Sequence, residues 1–270
     1  MNGISDVTIG CIGTGNMGSA LILGLTNAIQ AKNISAYDIN TKRLNILSSE
    51  YGIIASKSIE QCITSSDIII LAVKPQIISN VLTEIKDISQ DKIIISIAAG
   101  VSIDAIEKIL TKNREIIRVM PNTPALIGEG MSVLSPNSKA DEETIKKTEA
   151  IFATVGETLI LPESLMDAVT GLSGCGPAYI FTLIQGMSDA GVKMGIPRDK
   201  AQLLATQTVI GSAKLVLQSK EDPISLRGKV TSPGGSTIDA VHVLEKAGFS
   251  GIIIDAIEMA TEKSKNLGGN

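Results

Sequence analysis

Five short runs of almost unbroken aliphatic residues constrain this chain more than any other feature: "VTIGCI" (7–12), "ISAYD" (34–38), "DIIILAV" (67–73), "KIIISIA" (92–98) and "EIIRVM" (115–120). A strand with one wet face alternates apolar and polar residues. A strand that is apolar throughout is covered on both faces, which is how parallel sheets are built. Between the runs, helical periodicity covers 16–30, 40–50, 76–86 and 102–112. Strand and helix alternating at this spacing predict a doubly wound α/β domain, with further strands near 130–135 and 156–161 closing its far edge.

The pattern changes after Pro162. From 163 to 270 no convincing strand occurs, only helix-like segments broken at "SGCGP", "MGIP", "KEDP" and "SPGG". Two domains are therefore expected, 1–162 and 163–270. Apolar helices without a sheet make a poor independent core, so the second domain is expected to bury its faces against the same segment of another subunit. Hydrophobic residues make up 44% of the chain but aromatics only 2%, so Ile, Leu, Val and Ala must build the core. The net charge of -4 and the scarcity of aromatics speak against a nucleic-acid surface. No apolar run approaches the ~20 residues of a membrane span. The start, "MNGISDVTIG", lacks the charged and apolar regions of a signal peptide. Three scattered cysteines, Cys11, Cys62 and Cys175, point to a reducing cytoplasm and to neither a zinc site nor a disulfide framework.

The first chemical motif is "GTGNMG", which follows Ile12 directly: Gly13, Thr14, Gly15, Asn16, Met17 and Gly18. It joins an apolar strand to an amphipathic helix, and Asp38 ends the next strand. This is the full dinucleotide fingerprint: a tight turn, close backbone approach to a pyrophosphate, and a carboxylate for the ribose hydroxyls. Three more loops follow apolar strands, where ligands of such sheets bind. They are "AVKPQ" with Ala72, Val73, Lys74 and Pro75, "IAAG" with Ala98, Ala99 and Gly100, and "MPNTP" with Asn122. The small residues of the second admit a flat nicotinamide, while Asn122 either bonds a carboxamide or fixes its loop. Asp38 is expected to favour NADH by accepting from the ribose 2′-OH and repelling a 2′-phosphate. Lys42 and Arg43 follow closely enough to compensate, so both NADPH and NADH are expected to serve.

The second motif is "TSPGGSTIDA" (231–240), a glycine-rich turn running into a helix whose first N–H groups suit an anion, with Ser236 available as a cap. The remaining reactive residues have plainer readings. His242 is a helix or interface residue, Cys175 packs tightly, and Lys193 complements a helix C-terminus. A nicotinamide fingerprint without an obvious acid–base side chain fits a hydride acceptor that enters already protonated, and an iminium meets that condition.

Together these motifs resemble the pyrroline-5-carboxylate reductase family. The likeness runs the length of the chain through "GTGNMG", "AVKP", "AAG", "MPNTP", "MDAVTGLSGCGPAYIF" (166–181), "GVKMGIP" (191–197) and, most specifically, "VTSPGGSTIDAVHVLE" (230–245). Cys175 stands where many members have serine, and Ser236 where threonine or alanine is common. The resemblance implies a Rossmann-type N-terminal domain and an all-helical C-terminal domain that interlocks into homodimers, often arranged further into decamers. It implies reduction of 1-pyrroline-5-carboxylate to L-proline with NADPH or NADH, the last step of proline biosynthesis. Carried over by position, Ser232, Gly234, Gly235, Ser236 and Thr237 form the substrate loop, with the catalytic contact made by Thr237 to the ring nitrogen. A hydroxyacid dehydrogenase using Lys193 as its acid leaves that loop unexplained, and a non-catalytic nucleotide sensor would show no turnover.

Overall fold

The computed structural model describes residues 3–110 and 113–268; Thr111 and Lys112, the last positions of the helix expected over 102–112, lie outside the described residues. The chain forms two compact units. One runs to Cys175 and is rejoined from Met259, and the other is Gly176–Glu258.

In the first unit strand and helix alternate as the aliphatic runs require: β1 (Ile9–Ile12), α1 (Asn16–Thr26), β2 (Ile34–Tyr37), α2 (Thr41–Tyr51), β3 (Ile54–Ala55), α3 (Ile59–Thr64), β4 (Ile68–Leu71), α4 (Pro75–Ile85), β5 (Ile93–Ser96), α5 (Ile103–Leu110) and β6 (Ile116–Met120). Then come β7 (Gly130–Pro136), α6 (Glu142–Phe152) and β8 (Gly156–Ile160). The strands form one sheet in the order β3-β2-β1-β4-β5-β6-β7-β8. From β3 to β6 all neighbours are parallel. β7 runs antiparallel to β6, and β8 is again parallel to β7. The reversal follows from chain length. Between β6 and β7 the chain makes only a 3-10 turn, Thr123–Ile127, whereas a parallel partner needs a crossover of a dozen residues or more. α6 supplies that crossover for β8.

Successive residues of the central strands enter opposite cores. Ile68 and Ile70 of β4 pack with Leu21, Ile22 and Leu25 of α1 and with Phe152 of α6. Ile69 and Leu71 pack with Ile63 of α3, Ile78 and Leu82 of α4, and Ile106 of α5. All four strand residues are fully buried, which is what the unbroken "IIIL" demanded. Each such side chain stabilises the fold by roughly 1.5–3 kcal/mol.

Beyond Pro162 the chain makes a 3-10 turn (Glu163–Leu165), the one-turn helix α7 (Met166–Val169) and a π-helical turn (Thr170–Gly174). Met166 and Val169 pack on Val133 of β7, forming a third small core. Glu163 Oε1 accepts from the buried Arg118 of β6 at 3.1 Å and from the N–H of Ile103, which opens α5, at 2.7 Å. This apolar anchor and ion pair carry the sheet unit on to Cys175.

The second unit is helical: α8 (Gly176–Lys193), α9 (Arg198–Ser219), α10 (Pro223–Val230), α11 (Ser236–Lys246) and the first half of α12 (Phe249–Gly268). Among the described residues none after Ile160 is in a strand. α8 and α9 approach closely enough that a Cβ on Gly191 would lie 2.9 Å from that of Ala201. Yet the only buried apolar residues in this unit are Ala201 and Ala205. Phe181, Leu203 and Ile254 are each more than 60% exposed, at 64%, 64% and 62%, and Leu217 is 78% exposed. A helical layer holding two buried alanines has no core of its own. Its apolar faces need a cover. Among the described residues no helix is long and apolar enough to cross a membrane.

Candidate dinucleotide and substrate sites

In the strand order, β1 and β4 are neighbours whose following connections depart in opposite directions, so a crevice opens at their C-terminal ends. "GTGNMG" occupies that crevice. Its three glycines do different work. A Cβ on Gly18 would lie 2.1 Å from the carbonyl oxygen of Gly13, and one on Gly13 would lie 2.5 Å from that of Ala72. These two let helix, loop and β4 close up, and they bring the "GTGNMG" and "AVKP" loops into direct contact. A Cβ on Gly15 meets nothing within 4 Å, and Gly15 is the N-cap of α1 with no side-chain cap. The open space lies beside the bare helix start, a place suited to a pyrophosphate. The two kinds of glycine should respond differently to a methyl group. Gly15→Ala should cost no more than about 1 kcal/mol of stability while weakening dinucleotide binding. Gly18→Ala should lower the melting temperature and abolish binding together, because backbone has to move. Thermal melts and dinucleotide titrations of the two variants check this contrast.

Asp38 lies just past β2, and its carboxylate is engaged by its own chain. Oδ2 accepts from the Thr14 N–H at 2.5 Å and from the Thr14 hydroxyl at 2.9 Å, while Oδ1 accepts from the Asn40 N–H at 2.8 Å. Burial pushes the carboxyl up, but the hydrogen bonds from Asn40 and Thr14 and the charge of Arg43 outweigh it and hold it below its ordinary value. Asn40 also caps α2 by accepting from the Arg43 N–H. Arg43 Nη2 in turn donates to Asn16 Oδ1 at 3.3 Å. The roles of Asn40 and Thr14 were not read from the sequence. An asparagine just ahead of the helical run is the N-cap signal that points to Asn40.

The other expected cofactor residues lie at the same edge of the sheet. Ala72 and Val73 follow β4, Lys74 is the exposed N-cap of α4, and Pro75 is its first residue. Ala98 is buried and Ala99 exposed beyond β5, and Gly100 turns the chain with φ +75°. Asn122 follows β6 with both ends of its amide occupied. Its Oδ1 accepts from the Met131 N–H at 2.8 Å, and its Nδ2 donates to the carbonyl and hydroxyl of Ser173 at 3.3 and 3.2 Å. Of the two roles open to Asn122, this is the loop-fixing one, and it secures the π-helical turn as well. Ile12, Thr14 and Gly18 are buried, Met17 is half-buried and Asn16 is exposed.

The residues expected to form the substrate loop belong to the second unit. Ser232 O accepts from the Gly235 N–H at 3.1 Å, with Pro233 and Gly234 between them and Gly234 at φ +67°. Proline followed by a positive-φ glycine is the type II turn. α11 then opens at Ser236. Its N-cap is Gly235 and no side chain caps it, so Ser236 is not the cap that the sequence offered. An ion pair from Arg227 Nη1 to Glu245 Oε1, at 2.6 Å, clamps α10 to α11 across the loop. A Cβ on Gly235 would lie 2.4 Å from Ser232 Oγ. Ser232, Gly234 and Ser236 are exposed, while Gly235 and Thr237 are half-buried. One short segment thus offers bare helix N–H groups and three hydroxyls. His242 is exposed on α11, Lys193 ends α8 where its charge complements the helix dipole, and Cys175 is half-buried.

Comparison with known proteins settles the family. Residues 163–267 match the family described as pyrroline-5-carboxylate reductase dimerisation. Residues 8–100 match the family described as NADP oxidoreductase, coenzyme F420-dependent. The chain is 44% identical over 263 residues to pyrroline-5-carboxylate reductase of Methanosarcina acetivorans, covering 96% of this chain and 97% of that protein. Among solved structures it resembles Plasmodium falciparum pyrroline carboxylate reductase with NADP bound, with a TM-score of 0.90 and 36% identity, covering 98% of this chain and 100% of that one. A pyrroline-5-carboxylate reductase from Coxiella burnetii gives 0.92 and 33%, covering 97% and 98%. With relatives at this identity over nearly its whole length, the chain belongs to the pyrroline-5-carboxylate reductase family.

Proposed function

We propose that this chain reduces 1-pyrroline-5-carboxylate to L-proline through the two sites described. The observation that carries the reading is the uncapped start of α11 behind the Ser232–Gly235 turn, in a chain that also holds an open glycine cradle at Gly15. The cradle fits a dinucleotide because, of the three glycines of "GTGNMG", the one whose Cβ would meet nothing is Gly15, the uncapped N-cap of α1. Bound there, NADPH or NADH supplies the hydride that reduces the imine carbon.

The chain's own residues bind and orient. Backbone N–H groups at the start of α11, with the helix's positive end, hold the substrate carboxylate. Ser232, Gly234, Gly235 and Ser236 shape that cradle, and Thr237 reaches the ring nitrogen. The nitrogen arrives protonated and leaves as an amine, so no side chain has to deliver a proton to it. Most of the acceleration comes from positioning. On the cofactor side, Ile12 to Gly18, Asp38, Ala72 to Pro75 and Ala98 to Gly100 shape the dinucleotide site, and Asn122 holds the adjoining loop.

The sequence boundary of 1–162 and 163–270 divides the functions: dinucleotide binding first, then assembly and substrate binding. Dimers form through the helical segment, with decamers as the higher assembly. The three free cysteines suit a reducing cytoplasm. The test is absorbance at the reduced-nicotinamide band. Adding pyrroline carboxylate to protein and NADPH should consume the cofactor and yield proline in equal amount. No turnover with either cofactor would leave a nucleotide-binding protein and overturn the reading.

A further inference from the structure

We propose that Arg43 reads the 2′-phosphate of NADPH, and that Asp38 acts as a positioning residue for the glycine loop instead of as a ribose ligand. The inference rests on the dinucleotide reading above.

A carboxylate offers about four lone-pair sites. Three of those on Asp38 are filled by the chain itself: the Thr14 N–H and hydroxyl at Oδ2, and the Asn40 N–H at Oδ1. Thr14 is fully buried, so a carboxylate that turned away to grip two ribose hydroxyls would strand a buried donor pair. The bonds run instead from the second residue of "GTGNMG" to the first residue past β2 and on to the cap of α2. Asp38 therefore pins the loop whose backbone receives the pyrophosphate.

Arg43 is placed for the other task. It is exposed on the first turn of α2, which Asn40 fixes, and its Nη2 reaches Asn16 Oδ1 on the first turn of α1. The guanidinium thus stands by the glycine loop, close enough to Asp38 for its charge to act on that carboxylate. Five N–H donors in a rigid fork suit a phosphate, and one bond to Asn16 leaves most of them over. Lys42, also exposed, adds a second positive charge. Asp38 stays a carboxylate, but its oxygens are turned to Thr14 and Asn40, and the positive charges of Arg43 and Lys42 offset its repulsion of a 2′-phosphate.

The experiment is calorimetric titration of the whole protein with NADP+ and NAD+, with no turnover involved. Arg43→Gln should weaken NADP+ about ten- to a hundred-fold, the value of charge-assisted hydrogen bonds, and NAD+ by no more than about two-fold. Arg43→Lys should fall between, since it keeps the charge and loses the fork. In Asp38→Asn the carboxamide can accept at only one of its two atoms. It should weaken both nucleotides by a similar factor and lower the melting temperature, leaving the affinity ratio within about two-fold. Melting curves confirm that each variant is folded. Loss of NAD+ with gain of NADP+ in Asp38→Asn would overturn the proposal, because that is how a ribose ligand behaves. Equal losses of both nucleotides in Arg43→Gln would overturn it too. A wild-type protein that binds neither nucleotide would overturn the dinucleotide reading itself, and this inference with it.

Discussion

Thr237→Ala lowers kcat about ten- to a hundred-fold while leaving the fold and the dinucleotide affinity as they were: that is the expected result if its hydroxyl meets the ring nitrogen. The range follows from one oriented hydrogen bond worth about 1–3 kcal/mol. As the iminium becomes an amine, its nitrogen gains a lone pair to which the hydroxyl can donate, so the loss of that bond falls on kcat more than on KM. The fold sharpens this expectation. The N-cap of α11 is Gly235, no side chain caps the helix, and Thr237 is its second residue. Removing the hydroxyl therefore takes no cap from the helix, and a fall in rate cannot be charged to fraying. Thr237→Ser restores much of the rate. Steady-state kinetics with both variants, beside melting curves and NADPH titrations, decides the matter. Full activity in Thr237→Ala would remove Thr237 from the chemistry and leave only the backbone cradle.

Much of this was legible in the residues, for physical reasons that differ from element to element. β4 and β5 were visible because strands buried on both faces can be apolar at successive positions, and "IIIL" and "IIIS" sit in short aliphatic runs opened by Asp67 and Lys92. β3 was invisible: two residues paired with Ser35 and Ala36 carry no period. The antiparallel turn of β7 was implicit only in the shortness of the link after Met120. The limit of the first unit was read at Pro162, where the pattern changes, whereas its packing continues to Cys175. Met166, Val169 and Glu163 find partners far away in sequence, on β7 and β6, and no local pattern encodes that. The same holds for the site. The glycines announced the crevice, but the separate tasks of Gly15 and Gly18 depend on what each Cβ would meet. Asp38 stood in the ribose-binding position of the fingerprint. That its oxygens are taken by Thr14 and Asn40 is a three-dimensional fact.

The largest effect expected from any substitution concerns assembly. The second unit buries two alanines and leaves Phe181, Leu203 and Ile254 exposed on α8, α9 and α12. Three such residues left in water forgo roughly 5–9 kcal/mol. That is of the order of a whole domain's stability, roughly 5–15 kcal/mol. The first unit, with its two large aliphatic cores, needs no such help. The wild-type protein should therefore show no active monomer at micromolar concentration. A variant carrying Phe181→Asp, Leu203→Asp and Ile254→Asp together should lose assembly and activity in one step, since each aspartate would be buried without a partner. Helical signal from the second unit should fall with them. Dinucleotide binding belongs to the first unit and should survive. Sedimentation velocity, far-ultraviolet dichroism and NADPH titration on the one sample read all three. A triple variant that sediments as a stable, fully active monomer would show that the helical unit stands alone, and the absence of a core would then need another cause.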